Sequence, residues 1–150
     1  MPIRSFLYAS AVTLATPAWA ADLVTKPSPY SVAVTIDRLE AAAGAAGATI
    51  FARVDHAKGA ESVGAELAPA ELLMFGNPKL GTPAMQADIT AGLDLPLRVL
   101  AYQDASGQVR VIYHDPAALA ETHGVPADAE VLKMMTGALG KLTDAAVAEQ

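Results

Sequence analysis

A few short segments carry side chains able to do chemistry at a surface: Asp55-His56, Asn77, Thr82 with Met85, and His114. A histidine beside a carboxylate can serve as a general base, a proton relay or a metal ligand. The plainer alternative for Asp55-His56 is an aspartate capping the next turn and a histidine bonded to a backbone carbonyl. Asn77 and Thr82 stand in the segment Gly76 to Pro96, which is punctuated by Gly-Asn-Pro and Gly-Thr-Pro bends. Glycine supplies unusual backbone angles and proline fixes φ, so this segment is expected to be a long loop of defined shape, suited to wall a pocket. It lacks the Gly-Lys-Ser/Thr ending that cradles phosphates. A rigid loop that covers the core or forms a dimer contact is the competing reading.

Met74, Met85, His56 and His114 together raise copper, because thioethers and imidazoles suit Cu(I). Against it, no Met-x-x-Met or His-x-His cluster sets a ligand spacing, and methionine commonly fills core gaps. Met74 is expected inside a buried strand, and Met134-Met135 read as packing. Metal and cofactor therefore stay unassigned. No Gly-x-Ser-x-Gly elbow is present. Asp88 and Asp94 could face one another across the long loop, although acids in loops usually cap turns. Cysteine is absent, which removes disulfides, thiol catalysis and thiolate metal sites.

The elements that must position these residues follow from pattern. Arg4, the apolar run Ser5 to Ala15 and Ala18-Trp19-Ala20 have the three parts of a cleavable secretory signal, predicting residues 1–20 as a signal peptide. The mature chain is then expected to begin near Ala21 in the periplasm or outside the cell. Losing Arg4 leaves nine Lys/Arg against sixteen Asp/Glu, a net charge of −7, which argues against nucleic acid as a partner. No further run has membrane-spanning length. Residues 21–29, with two prolines, read as a leader, and residues 30–150 as one domain.

Within that domain, Tyr30 to Thr35 is β-branched and predicts a first strand, followed by a helix capped at Asp37. Thr49 to Val54 alternates as a second strand. A short helix is expected around Glu61 to Leu67, and Glu71 to Phe75 reads as a central strand covered on both sides. Leu97 to Tyr102 and Val109 to Tyr113, joined by Asp104-Ala105-Ser106-Gly107, predict a hairpin. A short helix ending near Gly124 and a closing helix over Pro126 to Val147 complete the chain. Val131, Met135, Leu139, Leu142 and Ala146 form the stripe of that last helix. The class is α+β: a mainly antiparallel sheet covered by helices on one face.

Several blocks between Thr49 and Gly124 resemble a known family. They are Phe51-Ala52-Arg53-Val54-Asp55-His56, Pro69-Ala70-Glu71-Leu72-Leu73-Met74-Phe75-Gly76-Asn77-Pro78, Gly81-Thr82-Pro83 with Met85-Gln86, Gly92-Leu93-Asp94-Leu95-Pro96-Leu97, and Tyr113-His114-Asp115-Pro116. In this order and spacing they are similar to the DUF302 family, a domain of unknown function. His114 departs from the pattern, where Asn or another polar residue is often expected. The resemblance implies a β-α-β4-α-like fold and a homodimer, and it implies no activity.

These readings lead to an expected homodimeric, non-enzymatic periplasmic module. It would bind a small molecule or ion in a cleft lined by Asp55, His56, Asn77, Thr82, Met85 and His114. Two alternatives stand beside it: an enzyme using Asp55-His56 as an acid/base pair, and a structural or partner-binding dimer.

Overall fold

The computed structural model describes residues 23–149. The expected signal peptide lies outside the described residues. A single five-stranded antiparallel sheet runs in the order β1-β5-β4-β3-β2. Its strands are β1 (Leu23–Ser28), β2 (Thr49–Asp55), β3 (Ala70–Gly76), β4 (Leu97–Gln103) and β5 (Val109–His114). The helices are α1 (Val32–Ala45), α2 (His56–Glu61), α3 (Pro78–Ala87), α4 (Leu119–Thr122) and α5 (Glu130–Val147), with 3-10 turns at Ile89–Leu93 and Pro116–Ala118. The α+β class with an antiparallel sheet is as expected, and so are β2, β3 and the β4–β5 hairpin.

Four local expectations are corrected. Residues expected as a leader form β1, an edge strand paired with β5 from Leu23–His114 to Ser28–Val109. An edge tolerates Pro27, whose missing N–H costs no interior ladder bond. The β-branched run Ser31 to Thr35 opens α1 instead of forming a strand. Ser31, not Asp37, is the N-cap, and its hydroxyl accepts from the Val34 amide at 3.3 Å. Val32, Thr35, Ile36, Leu39 and Ala43 then fall on one buried stripe, so packing overrides the weak β preference. The short helix after β2 begins at His56, not near Glu61. The segment expected as a long loop holds α3 and a 3-10 turn: Pro78 occupies the first helical turn, where its missing N–H matters least, and Asn77 caps it.

The main core lies between one sheet face and α1 with α5. Leu73, Phe75, Val99, Ala101, Val111 and Tyr113 meet Ile36, Leu39, Ala43, Leu139 and Ala146. Among the described residues every buried side-chain nitrogen and oxygen has a hydrogen-bond partner. Lys26 projects from β1 to α5, donating to the Gly140 carbonyl at 3.0 Å, Thr143 Oγ1 at 2.8 Å and Asp144 Oδ1 at 2.6 Å. Arg38 stacks on Tyr30 and donates to the Ala145, Ala146 and Ala148 carbonyls, capping the far end of α5. Those carbonyls have no intrahelical donor, so a side-chain cation is well placed there. A second, smaller cluster joins Ala84, Ala91, Leu119, Val125, Leu132 and Met135 beyond the sheet end.

The opposite sheet face is different. Strand register aligns Val54, Leu72, Leu100 and Ile112 in one row across four strands, with Met74 beside them. None of the five is buried. The expectation that β3 is covered on both sides therefore fails in this chain, and Met74 is not a core residue.

The hairpin turn is organised by Asp104. Its Oδ1 accepts from the Ser106 and Gln108 amides, at 2.9 Å and 3.0 Å, and from the Ser106 hydroxyl, while Arg110 pairs with Oδ2. The Ser106 hydroxyl and then Arg110 hold this carboxyl well below the usual carboxylate range. A depressed folded value stabilises above the unfolded value, about 3.9, and is lost as pH falls through the folded one. Asp104→Asn is therefore expected to melt below wild type at neutral pH, with the two curves converging in strong acid. Melts that differ equally at every pH would show that charge plays no part.

Candidate functional site

One end of the sheet, where β3 ends and β4 begins, carries the candidate site. Asn77 closes β3 and starts α3; its Oδ1 accepts from the Lys79 amide at 2.9 Å. The helix turns the Thr82 and Met85 side of its surface toward Leu95-Pro96, joined by a cis peptide bond, and toward Met135 of α5. These residues, with Phe51, Leu80 and Leu97, line a cavity of about 220 Å³. Phe51 is a bulge residue of β2 and is 58% exposed, so an aromatic ring stands at the opening without a core to fill. The lining is overwhelmingly apolar. Asn77 and Thr82 supply the polar side chains, and the Asn77 oxygen is already committed to its cap.

Three of the six sequence candidates thus meet: Asn77, Thr82 and Met85. His114 does not join them. It ends β5, exposed, beside a second and more polar cavity of about 220 Å³ lined by Asp94, Arg98, Asp115, Leu119 and Thr122. Leu97 belongs to both cavities, so they are neighbours. Asp55 and His56 lie at the other end of the sheet. Asp55 pairs with Glu71, five residues before Gly76, which places the two ends roughly 17 Å apart along β3. Asp55 caps α2, accepting from the Lys58 amide at 3.0 Å, and that bond is the main cause holding its carboxyl below the ordinary carboxylate range. His56 is exposed on the first turn of α2. The concave acid/base site expected of an Asp55-His56 enzyme is not formed. Nor do Met74, Met85, His56 and His114 converge: one lies on the open sheet face, one at the cavity and two at opposite sheet ends. Among the described residues no group of three or more His, Cys, Asp or Glu could hold a metal ion.

The histidine with a built environment is His123, which no neighbouring residue in the sequence marks. His123 ends α4 with its side chain 7% exposed. Its Nε2 lies 2.8 Å from Asp94 Oδ2 and its Nδ1 lies 2.9 Å from Thr90 Oγ1. Arg98 donates to the other Asp94 oxygen at 3.0 Å. On the far side, Asp88 Oδ1 is 2.7 Å from the Thr90 hydroxyl and accepts its amide, while Oδ2 accepts the Gly124 amide at 2.8 Å. A Cβ at Gly124 would stand 2.7 Å from that oxygen, so only glycine permits the approach. Thr90 and Gly124, led by Thr90, hold Asp88 below the ordinary carboxylate range. The available signal was the pair Asp88 and Asp94 flanking one short segment; the partner that joins them lies about thirty residues on. The linear order Asp94–His123–Thr90 has the outline of a hydrolytic triad, but the Thr90 hydroxyl also faces the Asp88 carboxylate and is not a free nucleophile.

Over 117 residues the chain is 49% identical to proteins titled fluoride-specific ion channel FluC 1 of Brucella suis biovar 1 (strain 1330) and of Brucella abortus biovar 1 (strain 9-941). That match takes in 77% of this chain and 46% and 43% of those relatives, so the chain spans less than half of their length. A crystal structure of an uncharacterized conserved DUF302 protein from Bacillus stearothermophilus superimposes with a TM-score of 0.67 at 19% identity, over 85% of this chain and 97% of that one. Residues 24–142 match the family model described as domain of unknown function DUF302, reaching from β1 into α5, and the chain belongs to that family.

Proposed function

We propose that this domain is a non-enzymatic, homodimeric module that takes a small apolar molecule into the cavity between α3, the Leu95-Pro96 turn and Met135. The carrying observation is the cavity's apolar lining next to an exposed aromatic, Phe51. Desolvation of such a lining favours an uncharged, hydrocarbon-rich ligand, with Thr82 able to orient one polar group. An ion finds little there: the lining residues carry no formal charge. This narrows the small-molecule-or-ion expectation to its first half. The expected export signal supports a periplasmic or secreted setting for the module.

A neutral fluorescent probe, N-phenyl-1-naphthylamine, tests the reading. It is expected to bind with enhanced emission, and Gly81→Leu, which points a bulky side chain at the cavity wall, is expected to abolish the signal while leaving the melt near wild type. An unchanged signal in that variant would mean that the probe sits elsewhere and the cavity is not the site.

The dimer would use the open sheet face. Five strands about 4.8 Å apart and about 20 Å long present roughly 480 Å², so two copies would bury on the order of 1,000 Å², near the lower bound for a specific interface. Val54, Leu72, Leu100 and Ile112 would form its centre.

The names of the Brucella relatives favour a second setting for the same module, at a membrane that handles fluoride. No helix among the described residues is long and apolar enough to cross a membrane, so here the domain would act beside a channel, not as one. Deleting its gene is then expected to lower fluoride tolerance; unaltered growth across a fluoride series would remove this setting and leave the cavity reading intact.

A further inference from the structure

The second cavity, beside the apolar one, holds a charge that the fold leaves unbalanced. Asp115 caps the turn Pro116–Ala118, and its Oδ1 accepts from the Ala117 amide at 2.9 Å and from the Thr136 hydroxyl of α5 at 2.7 Å. Both donors are neutral. Among the described residues no Lys, Arg or His forms an ion pair with this carboxylate. No buried side-chain oxygen there lacks a partner, so Oδ2, which takes no hydrogen bond, is accessible, and Asp115 is a wall of the cavity. The other formal charges in that cavity cancel: Arg98 of β4 donates to Asp94 at 3.0 Å. His114 stands exposed at the end of β5. What remains is one free carboxylate oxygen and its negative charge.

We infer that the two cavities form one site for an amphipathic amine, with an apolar body in the first and a primary ammonium on Asp115 in the second. The cavities meet at Leu97, which lines both. The chain just before it also serves both: Asp94 lines the second, Leu95 and Pro96 the first. A charged head held inside the apolar cavity would lose its hydration without a partner, which is costly. Beyond Leu97 the same head meets Asp115 Oδ2. An ammonium has three donors, so it can give one to the carboxylate and keep the others on water. An anionic head would face Asp115 and would have to draw Arg98 away from Asp94. The inference rests on the apolar-ligand reading and adds the head group to it.

Three competitors with one eight-carbon tail and different heads test it: octylamine, octan-1-ol and octanoate. At about pH 8 the amine is an ammonium and the acid a carboxylate. Each is titrated against N-phenyl-1-naphthylamine bound to the wild-type protein. Octylamine is expected to displace the probe at about fivefold lower concentration than octanol, the upper range for a partly exposed ion pair, with octanoate weakest. In Asp115→Asn, whose amide oxygen can still accept from Ala117 and Thr136, octylamine should fall to the level of octanol or below, and octanol should be unchanged. Glu66→Gln removes an exposed carboxylate that lines neither cavity and should keep the wild-type order.

Octylamine no better than octanol in wild type overturns the ammonium site, even if Asp115→Asn fails to fold. So does an amine advantage that survives in folded Asp115→Asn or vanishes in Glu66→Gln. Octanoate as the strongest competitor overturns it as well and moves the head to Arg98. The two readings fail differently. A probe displaced equally by all three heads, or by none, overturns the amine site and leaves the cavity reading standing, whereas a probe that never binds overturns the cavity reading and the amine site with it.

Discussion

Met135→Ala is expected to destabilise the protein by about 2–5 kcal/mol and, in the same stroke, to enlarge the cavity. Met135 is 1% exposed, belongs to the second apolar cluster with Ala84, Leu119, Val125 and Leu132, and also forms the floor of the cavity on the α5 side. Alanine is the better helix former, so the loss reports packing and not helix propensity. The truncated side chain leaves space that joins the existing cavity. Saturating N-phenyl-1-naphthylamine should therefore raise the variant's stability, by about 2.7 kcal/mol at a hundredfold excess over its dissociation constant. The neighbouring Met134 is 52% exposed, and Met134→Ala should change stability by no more than about 0.5 kcal/mol. Denaturant unfolding of both variants, with and without the probe, checks the set. Equal effects at the two positions would mean that α5 docks on another face.

Leu100→Asp is expected to halve the sedimentation mass by splitting the proposed dimer. Leu100 is in the middle of the row Val54, Leu72, Leu100 and Ile112, so a carboxylate there would be desolvated at the centre of the interface. In a monomer the same carboxylate would be solvated, at the cost of about 1 kcal/mol in strand preference. Leu100→Thr keeps strand preference and removes apolar area, and should weaken the association without abolishing it. Wild type and both variants sedimenting alike would discard the open face as the interface and leave five unburied apolar residues to another partner.

The fold was legible wherever one period dominated. The alternation of β2 and of the hairpin strands needs only the residues themselves, as does the apolar stripe of α5. Even there the stripe was displaced: Leu132 and Thr143 are buried in place of Val131 and Leu142. Thr143 could not be chosen from polarity, because its burial depends on Lys26 and the Leu139 carbonyl receiving its hydroxyl. The errors cluster where local preference and tertiary context disagree. Tyr30 to Thr35 favours a strand until Ser31 caps it, and Gly81 with Pro83 looks like a loop until Ala84 is buried beneath it. The candidate site was half legible for the same reason. Asn77, Thr82 and Met85 are close in sequence and stay close in space, whereas Asp55-His56 shares only their chemistry and lies at the other sheet end. His123 became visible only when folding brought it against Asp88 and Asp94.

The pairing of β1 with β5 also dictates an order of assembly. Leu23 and His114 are partners across 91 positions, and Lys26 of the same strand is anchored on α5 another thirty or so residues further on. Contacts of such long separation form late, because the intervening chain must first be ordered. As the polypeptide emerges, β1 must wait for β5 and α5, which follow it in the chain. Until then β5 has a bare edge, and the half-finished sheet is the stage most open to misassociation. The opening segment is therefore the final seam, and a disturbance of Leu23–Ser28 should slow the completion of folding far more than its nucleation.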